Sequence, residues 1–144
     1  MGAFSATYAQ QVLNCLLPTG TGGVPGTWTA LTAGVMYVRL NSTLSTISAE
    51  GTQLPNGNGY VTNGLSLGTT PISVAAVNGS LYQCTLPYTA LSWTAGTAWT
   101  IESMDITDST PHWIWFGPFN GQPIGVASGN TFQIAANAVT VQLS

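Results

Sequence analysis

Charge is what this sequence lacks. Of its 144 residues, one is lysine or arginine and four are aspartate or glutamate, 3% in all, against about 25% in an average soluble domain. There is no lysine. The single cation is Arg39, the acids are Glu50, Glu102, Asp105 and Asp108, and the only histidine is His112. Neutralising nucleic-acid phosphates takes several Lys or Arg, so nucleic-acid binding is excluded. Attraction to an anionic membrane surface fails for the same reason. A protein-built zinc site wants three or four Cys, His or carboxylate ligands close together, and one His, two distant Cys and four scattered acids do not supply them. The usual general acids and bases are equally scarce. No metal or cofactor is expected.

Long apolar runs are missing too. Gly, Pro, Thr or Asn interrupts every apolar stretch well short of the ~20 residues of a spanning helix. The N-terminal run to Gly20 has no basic n-region and no unbroken apolar core, so it does not read as a signal peptide. With no export signal, Cys15 and Cys84 read as two small buried apolar residues rather than a disulfide.

Aromatic and apolar residues are present in quantity. The chain is 44% hydrophobic, with five Trp, five Tyr and four Phe, the reverse of a disordered composition. Solubility falls to 21 Thr, 12 Ser and 9 Asn. A surface of that kind has little charge to screen with salt and weak colloidal repulsion. It suits a subunit of an assembly.

One helical pattern occurs, over 5–17. Ser5 can cap it, Tyr8, Val12, Cys15 and Leu16 make one apolar stripe, and Pro18 and Gly20 end it. From residue 35 the period changes to two. Strands are expected at 35–40, 60–67, 72–77, 80–86, 99–106, 112–116, 131–134 and 138–143. In the first of these, Met36, Val38 and Leu40 share one face, and Val35, Tyr37 and Arg39 the other. The cluster Pro55-Asn56-Gly57-Asn58-Gly59 signals a tight turn, and Asn78-Gly79 is the strongest hairpin signal in the chain. The sequence therefore predicts one domain over 1–144, with a helix at 5–17 and a β-domain at 35–143. The expected fold is all-β: a single antiparallel β-sandwich or small barrel of seven or eight strands with one N-terminal α-helix.

The order of features resembles a family of small tailed-phage virion proteins, the tail fibre-like or minor structural proteins. The matching residues are the N-terminal helix, the strand Met36-Tyr37-Val38-Arg39-Leu40, Gly59-Tyr60 after a turn, and Leu86-Pro87. Ala90 follows, with Trp93 three residues on, and then the closing run Ser128-Gly129-Asn130-Thr131-Phe132-Gln133-Ile134 through Val139-Thr140-Val141-Gln142-Leu143. The resemblance covers most of the chain, from Ser5 to Leu143, through turn and core signals rather than chemistry. Gln53 and Thr62 depart from the family's usual Glu and Arg, and Asn130 and Asn137 from its usual Asp and Gly, so its charges are lost here. The resemblance implies a non-catalytic virion part, assembled in the host cytoplasm. A head-decoration or minor capsid subunit is the leading expectation, with major capsid or tail proteins as partners and further copies in a homo-oligomer. A tail fibre or tail-tip component is one alternative, and a carbohydrate-binding receptor module the other.

Asp105, Asp108, Ser109 and His112 lie within eight residues, but they read as turn chemistry rather than a nucleophilic triad. Glu102 and Asp105, three apart on a strand, point to opposite faces and do not form a glycosidase pair. A calcium site from Asp105, Asp108 and carbonyls matches no EF-hand spacing. Arg39 is expected to pair with Glu50, Glu102 or an acid of a neighbouring subunit. Trp113 and Trp115 share a strand face, which fits a packed core, a subunit interface or a sugar-stacking platform. The candidate interface residues are Trp113, Trp115, Tyr37 and Arg39.

Overall fold

The computed structural model describes residues 3–4, 36–68, 76–78, 81–85, 89–107, 113–119 and 123–143. The expected helix over 5–17, together with Cys15, Trp28, Asp108, Ser109 and His112, lies outside them. Every regular element among the described residues is a β-strand, and every pairing is antiparallel.

In chain order the strands are β1 (Ala3–Phe4), β2 (Met36–Asn41), β3 (Leu65–Gly68), β4 (Ala76–Asn78), β5 (Leu81–Thr85) and β6 (Leu91–Thr94). They continue with β7 (Trp99–Ile101), β8 (Ser103–Thr107), β9 (Trp113–Pro118), β10 (Ile124–Val126), β11 (Thr131–Ile134) and β12 (Thr140–Leu143). A five-stranded sheet has the order β1-β9-β8-β2-β3. Two ribbons, β10-β7 and β11-β6, and a three-stranded sheet, β12-β5-β4, complete the pairing.

Local chemistry explains the boundaries. β4 and β5 pair with Asn78 opposite Leu81, the hairpin that Asn78-Gly79 announces. The closing strand β12 lies along β5, with Val141 opposite Cys84. The expected strand over 60–67 is shorter, because Asn63 and Gly64 take φ of 73° and 77° and the Gly64 N–H donates to the Val61 carbonyl at 2.8 Å. That turn delays the strand to Leu65. The expected strand over 99–106 breaks at Glu102, whose N–H donates to the Asn41 carbonyl at 2.8 Å. There the chain leaves β10 as its partner and joins β2 and β9. β6 was not expected, although its alternation is plain: Leu91 and Trp93 are buried, Ser92 and Thr94 exposed.

One hydrophobic cluster joins the five-stranded sheet to both ribbons. Val38, Leu40, Leu67, Ile106, Ile114 and Trp115 enter from the sheet, Trp99, Ile101 and Val126 from β7-β10, and Leu91, Trp93 and Ile134 from β6-β11. Aromatic contacts knit it: Tyr60 meets Trp99 edge-on at 6.4 Å, and Phe132 meets Trp93 at 6.0 Å and Phe119 at 5.5 Å. Each such pair adds about 0.5–1.5 kcal/mol beyond its area burial.

Candidate functional site

An antiparallel sheet commonly buries one face and leaves the other wet. β2 and β8 bury both. Val38, Leu40 and Ile106 face the hydrophobic cluster. The alternate positions Arg39, Asn41, Ser103, Asp105 and Thr107 are polar, and each is at most 3% exposed. Register assembles them: Arg39 lies opposite Asp105, Asn41 opposite Ser103, and Tyr37 opposite Thr107. The loop from Ser42 to Gln53, pinned back on Asn41 by a bridge at Gln53, folds over this polar face.

Ser45 is the centre of the contact. Its hydroxyl donates to Asp105 Oδ1 at 2.7 Å and accepts from Asn41 Nδ2 at 3.0 Å and from the Gly51 N–H at 2.8 Å. Ser103 Oγ donates to the Thr43 carbonyl at 3.2 Å and accepts from the Ser45 N–H at 3.1 Å and Asn41 Nδ2 at 3.2 Å. Both hydroxyls thus use their donor and two acceptor sites. Gly51 fits because it has no side chain: a Cβ there would come within 2.3 Å of the Thr43 carbonyl oxygen.

Arg39 adds charge. Its Nη2 sits 2.9 Å from Glu50 Oε1 and 4.0 Å from Asp105 Oδ2. The guanidinium side chain is 4% exposed and that of Glu50 39%, so the pair runs from the interior to the rim. Burial pushes the Asp105 carboxyl above its ordinary value. The hydrogen bonds of Asn41 and Ser45 and the charge of Arg39 pull it back, and Glu50 reinforces the rise. Beside this group, the Tyr60 hydroxyl accepts the Leu40 N–H at 3.2 Å and donates to Gln53 Oε1 at 3.4 Å. Burial raises the Tyr60 hydroxyl as well, against the Leu40 hydrogen bond and Arg39, with Asp105 adding to the rise.

The arrangement is a clamp. Its Ser hydroxyls are 2% exposed or less, and that of Ser45 donates a hydrogen bond directly to Asp105. No group of three or more His, Cys, Asp or Glu among the described residues could hold a metal ion. An ion pair and two buried hydroxyls tie the loop to the sheet.

The segment so held exposes three large apolar side chains among otherwise polar and small residues. The exposed large hydrophobic residues among those described are Leu44, Ile47 and Val61, at 51%, 59% and 60%. All belong to the segment between β2 and β3. Of the four residues singled out from sequence, Arg39 is buried and bonded to Glu50, one of its expected partners. Trp115 is 7% exposed within the hydrophobic cluster, and Tyr37 is half-buried on β2. Trp113 lies on β9 opposite Thr107. Asp105 sits on β8 as a buried carboxyl, inside the strand expected over 99–106 and not in the turn chemistry with which it was also grouped. Asn41, Ser103 and Thr107 were missed because polar residues alternating along a strand read as its solvent face, and Ser45 because it lies in a loop.

No protein-family model matches the chain, and neither a curated protein nor a solved structure shows significant similarity to it.

Proposed function

We propose that this chain is a structural protein of a tailed-phage virion, a head-decoration or minor capsid subunit that attaches by apolar contact. The observation that carries the reading is the surface between β2 and β3. Leu44, Ile47 and Val61 stand exposed there, on a segment that the Ser45 and Arg39 contacts hold in one conformation. A rigid loop loses little entropy on docking, and nearly uncharged surroundings set up no repulsion between neighbouring copies. Such a protein stabilises a shell by mass action, binding the assembled form at many symmetric positions. The order of motifs from Ser5 to Leu143 supports the same reading. We further read the sheet and ribbons around their common cluster as one sandwich or small barrel. A sugar-stacking module fits less well, since Trp93, Trp99 and Trp115, the tryptophans with described side chains, are all buried.

Two measurements test the proposal. Quantitative mass spectrometry of purified virions counts copies per particle: hundreds fit the head, a handful the tail tip, and none refutes a virion role. Raising salt from about 0.05 M to about 1 M collapses the screening length from more than 10 Å to about 3 Å. Attachment is expected to survive that change, and release would refute an apolar interface.

A further inference from the structure

Three Asn-Gly pairs fall within nine residues, Asn56-Gly57, Asn58-Gly59 and Asn63-Gly64. All three share the following glycine, whose lack of a side chain leaves its backbone nitrogen open to attack the asparagine amide. The fold treats them differently. Asn56 Oδ1 accepts the Thr62 N–H at 3.2 Å, and the Gly57 N–H donates to the Tyr60 carbonyl at 2.8 Å. The Asn63 N–H is bonded to Gln53 Oε1 at 3.1 Å, and the Gly64 N–H to the Val61 carbonyl at 2.8 Å. Gly64 is buried against β2, where a Cβ would stand 1.8 Å from the Val38 carbonyl oxygen. Asn58 and Gly59 form the two-residue tip of a hairpin closed by Gly57 and Tyr60. Their φ values of 51° and 90° are the positive pair that a type I′ tip requires. Asn58 is exposed, and neither its side chain nor the Gly59 N–H makes a hydrogen bond among the described residues. Before the tip can rotate, the Gly96 N–H, which donates to the Asn58 carbonyl at 2.7 Å, has to yield, and Gly59 has to leave its close approach to the Thr94 carbonyl oxygen, which would stand 1.7 Å from a Cβ there.

We propose that Asn58 is a modification site, where the folded chain deamidates selectively by attack of the Gly59 nitrogen. The Gly59 nitrogen loses its proton and bonds to Asn58 Cγ. The Cγ–Nδ2 bond breaks, and the amide departs as ammonia with that proton, leaving a five-membered succinimide. Water then opens either ring carbonyl. One product is aspartate at position 58. The other is an isoaspartyl linkage that carries the backbone through Cγ and lengthens it by one carbon. Either product adds a carboxylate, taking the formal charge from −3 one step further negative. The isoaspartyl form also spoils the two-residue tip that holds Tyr60 opposite Gly57, and Tyr60 is the residue whose hydroxyl caps the Leu40 N–H. The modification therefore loosens the loop from the sheet as the protein ages.

The test is incubation of the full chain at mildly alkaline pH, followed by peptide mapping. With one Arg and no Lys, the digest is made at aromatic and apolar residues rather than with trypsin. Conversion of amide to acid is read by mass, and isoaspartate by backbone fragmentation. Asn58 is expected to convert severalfold faster than Asn56 and Asn63 in the folded chain, with the three rates converging in denaturant. Equal rates in the folded chain, faster conversion at Asn56 or Asn63, or an order that persists in denaturant would each overturn the proposal. An Asn58→Asp chain supplies the authentic aspartate product for the map.

Discussion

Replacing Ser45 by alanine removes one oxygen and three hydrogen bonds. The Gly51 N–H lies near the loop surface and can recover a water, and Asn41 Nδ2 keeps Ser103 Oγ at 3.2 Å. Asp105 cannot recover a water, because the residue is fully buried, and it loses its shortest hydrogen bond, keeping only Asn41 and, at 4.0 Å, Arg39. A buried acceptor left without its donor costs about 1–3 kcal/mol, more when it is charged. The expected loss for Ser45→Ala is therefore about 3 kcal/mol, a large part of the ~5–15 kcal/mol by which a domain is stable. Ser42→Ala provides the control. Its hydroxyl donates to the Thr52 carbonyl at 3.1 Å in an exposed position, and its loss should stay within ~0.5 kcal/mol. Equilibrium urea unfolding, followed through the emission of the buried tryptophans, measures both. The transition midpoint should move for Ser45→Ala with an unchanged slope. The pH dependence sharpens the test. The Ser45 hydroxyl favours the ionised carboxylate, so the deficit of the variant should grow as pH rises through the Asp105 titration and shrink below it. Matching midpoints for the two alanine variants would refute the clamp.

Asp105→Asn keeps an oxygen to accept from Ser45 but cannot ionise. Burial raises Asp105 in the folded chain above its ordinary value of 3.8. Its contribution to stability is thus complete below that value and is lost as pH rises through the higher folded value. Denaturant midpoints of the parent should show that loss and those of the variant should not; a parent–variant difference independent of pH would remove burial as the cause. Gly64→Ala and Gly57→Ala both place a side chain at positive φ, 77° and 96°, at a shared conformational cost of about 1–2 kcal/mol. Only Gly64 also meets a backbone oxygen, at 1.8 Å, whereas nothing lies within 4 Å of a Cβ at Gly57. Gly64→Ala should therefore lower the melting temperature distinctly more than Gly57→Ala, and equal shifts would contradict the close approach. Trp115→Ala should cost about 3–5 kcal/mol as a core truncation, read by thermal melting. A variant that melts like the parent and loses only assembly would move Trp115 from core to interface.

The all-β antiparallel character was legible because it rests on period-two patterning and on turns with a stereochemical cause. The cluster ending at Gly59 acts through positive φ at Gly57, Asn58 and Gly59, and β4 and β5 pair on either side of the expected Asn78-Gly79 hairpin. Strand ends were less legible, because tertiary hydrogen bonds set them: nothing local to Glu102 announces that its N–H will be taken by Asn41 and the strand divided. β10 escaped notice since Pro123 and Gly125 imitate a turn. The clamp was the least visible part. The sequence identified Arg39 and named Glu50 among its partners, because a lone cation must find an acid. Ser45, 60 residues from Asp105, offers no such scarcity argument: with 12 Ser and 21 Thr in the chain, nothing marks the one that matters.

Scarcity of charge takes on a further meaning once the clamp is located. Of the five charged residues, Arg39 and Asp105 are inside, and Glu50 is turned toward Arg39 from the rim. The described exterior is thus still less charged than the composition. Buried ion pairs add little net stability, because desolvation offsets their attraction. Their effect here is on register. A slip of β8 against β2 by one residue would carry Asp105 to the face of Ile106, into the hydrophobic cluster, where no donor waits for it. The same slip would strip Arg39 of its counter-charge across the strands. Apolar alternation alone discriminates weakly between registers in strands as short as five or six residues, and an unpaired buried charge discriminates strongly. The chain spends its rare charges where they fix which residues of β2 and β8 stand opposite each other. That register in turn decides where the loop bearing Leu44 and Ile47 is fastened.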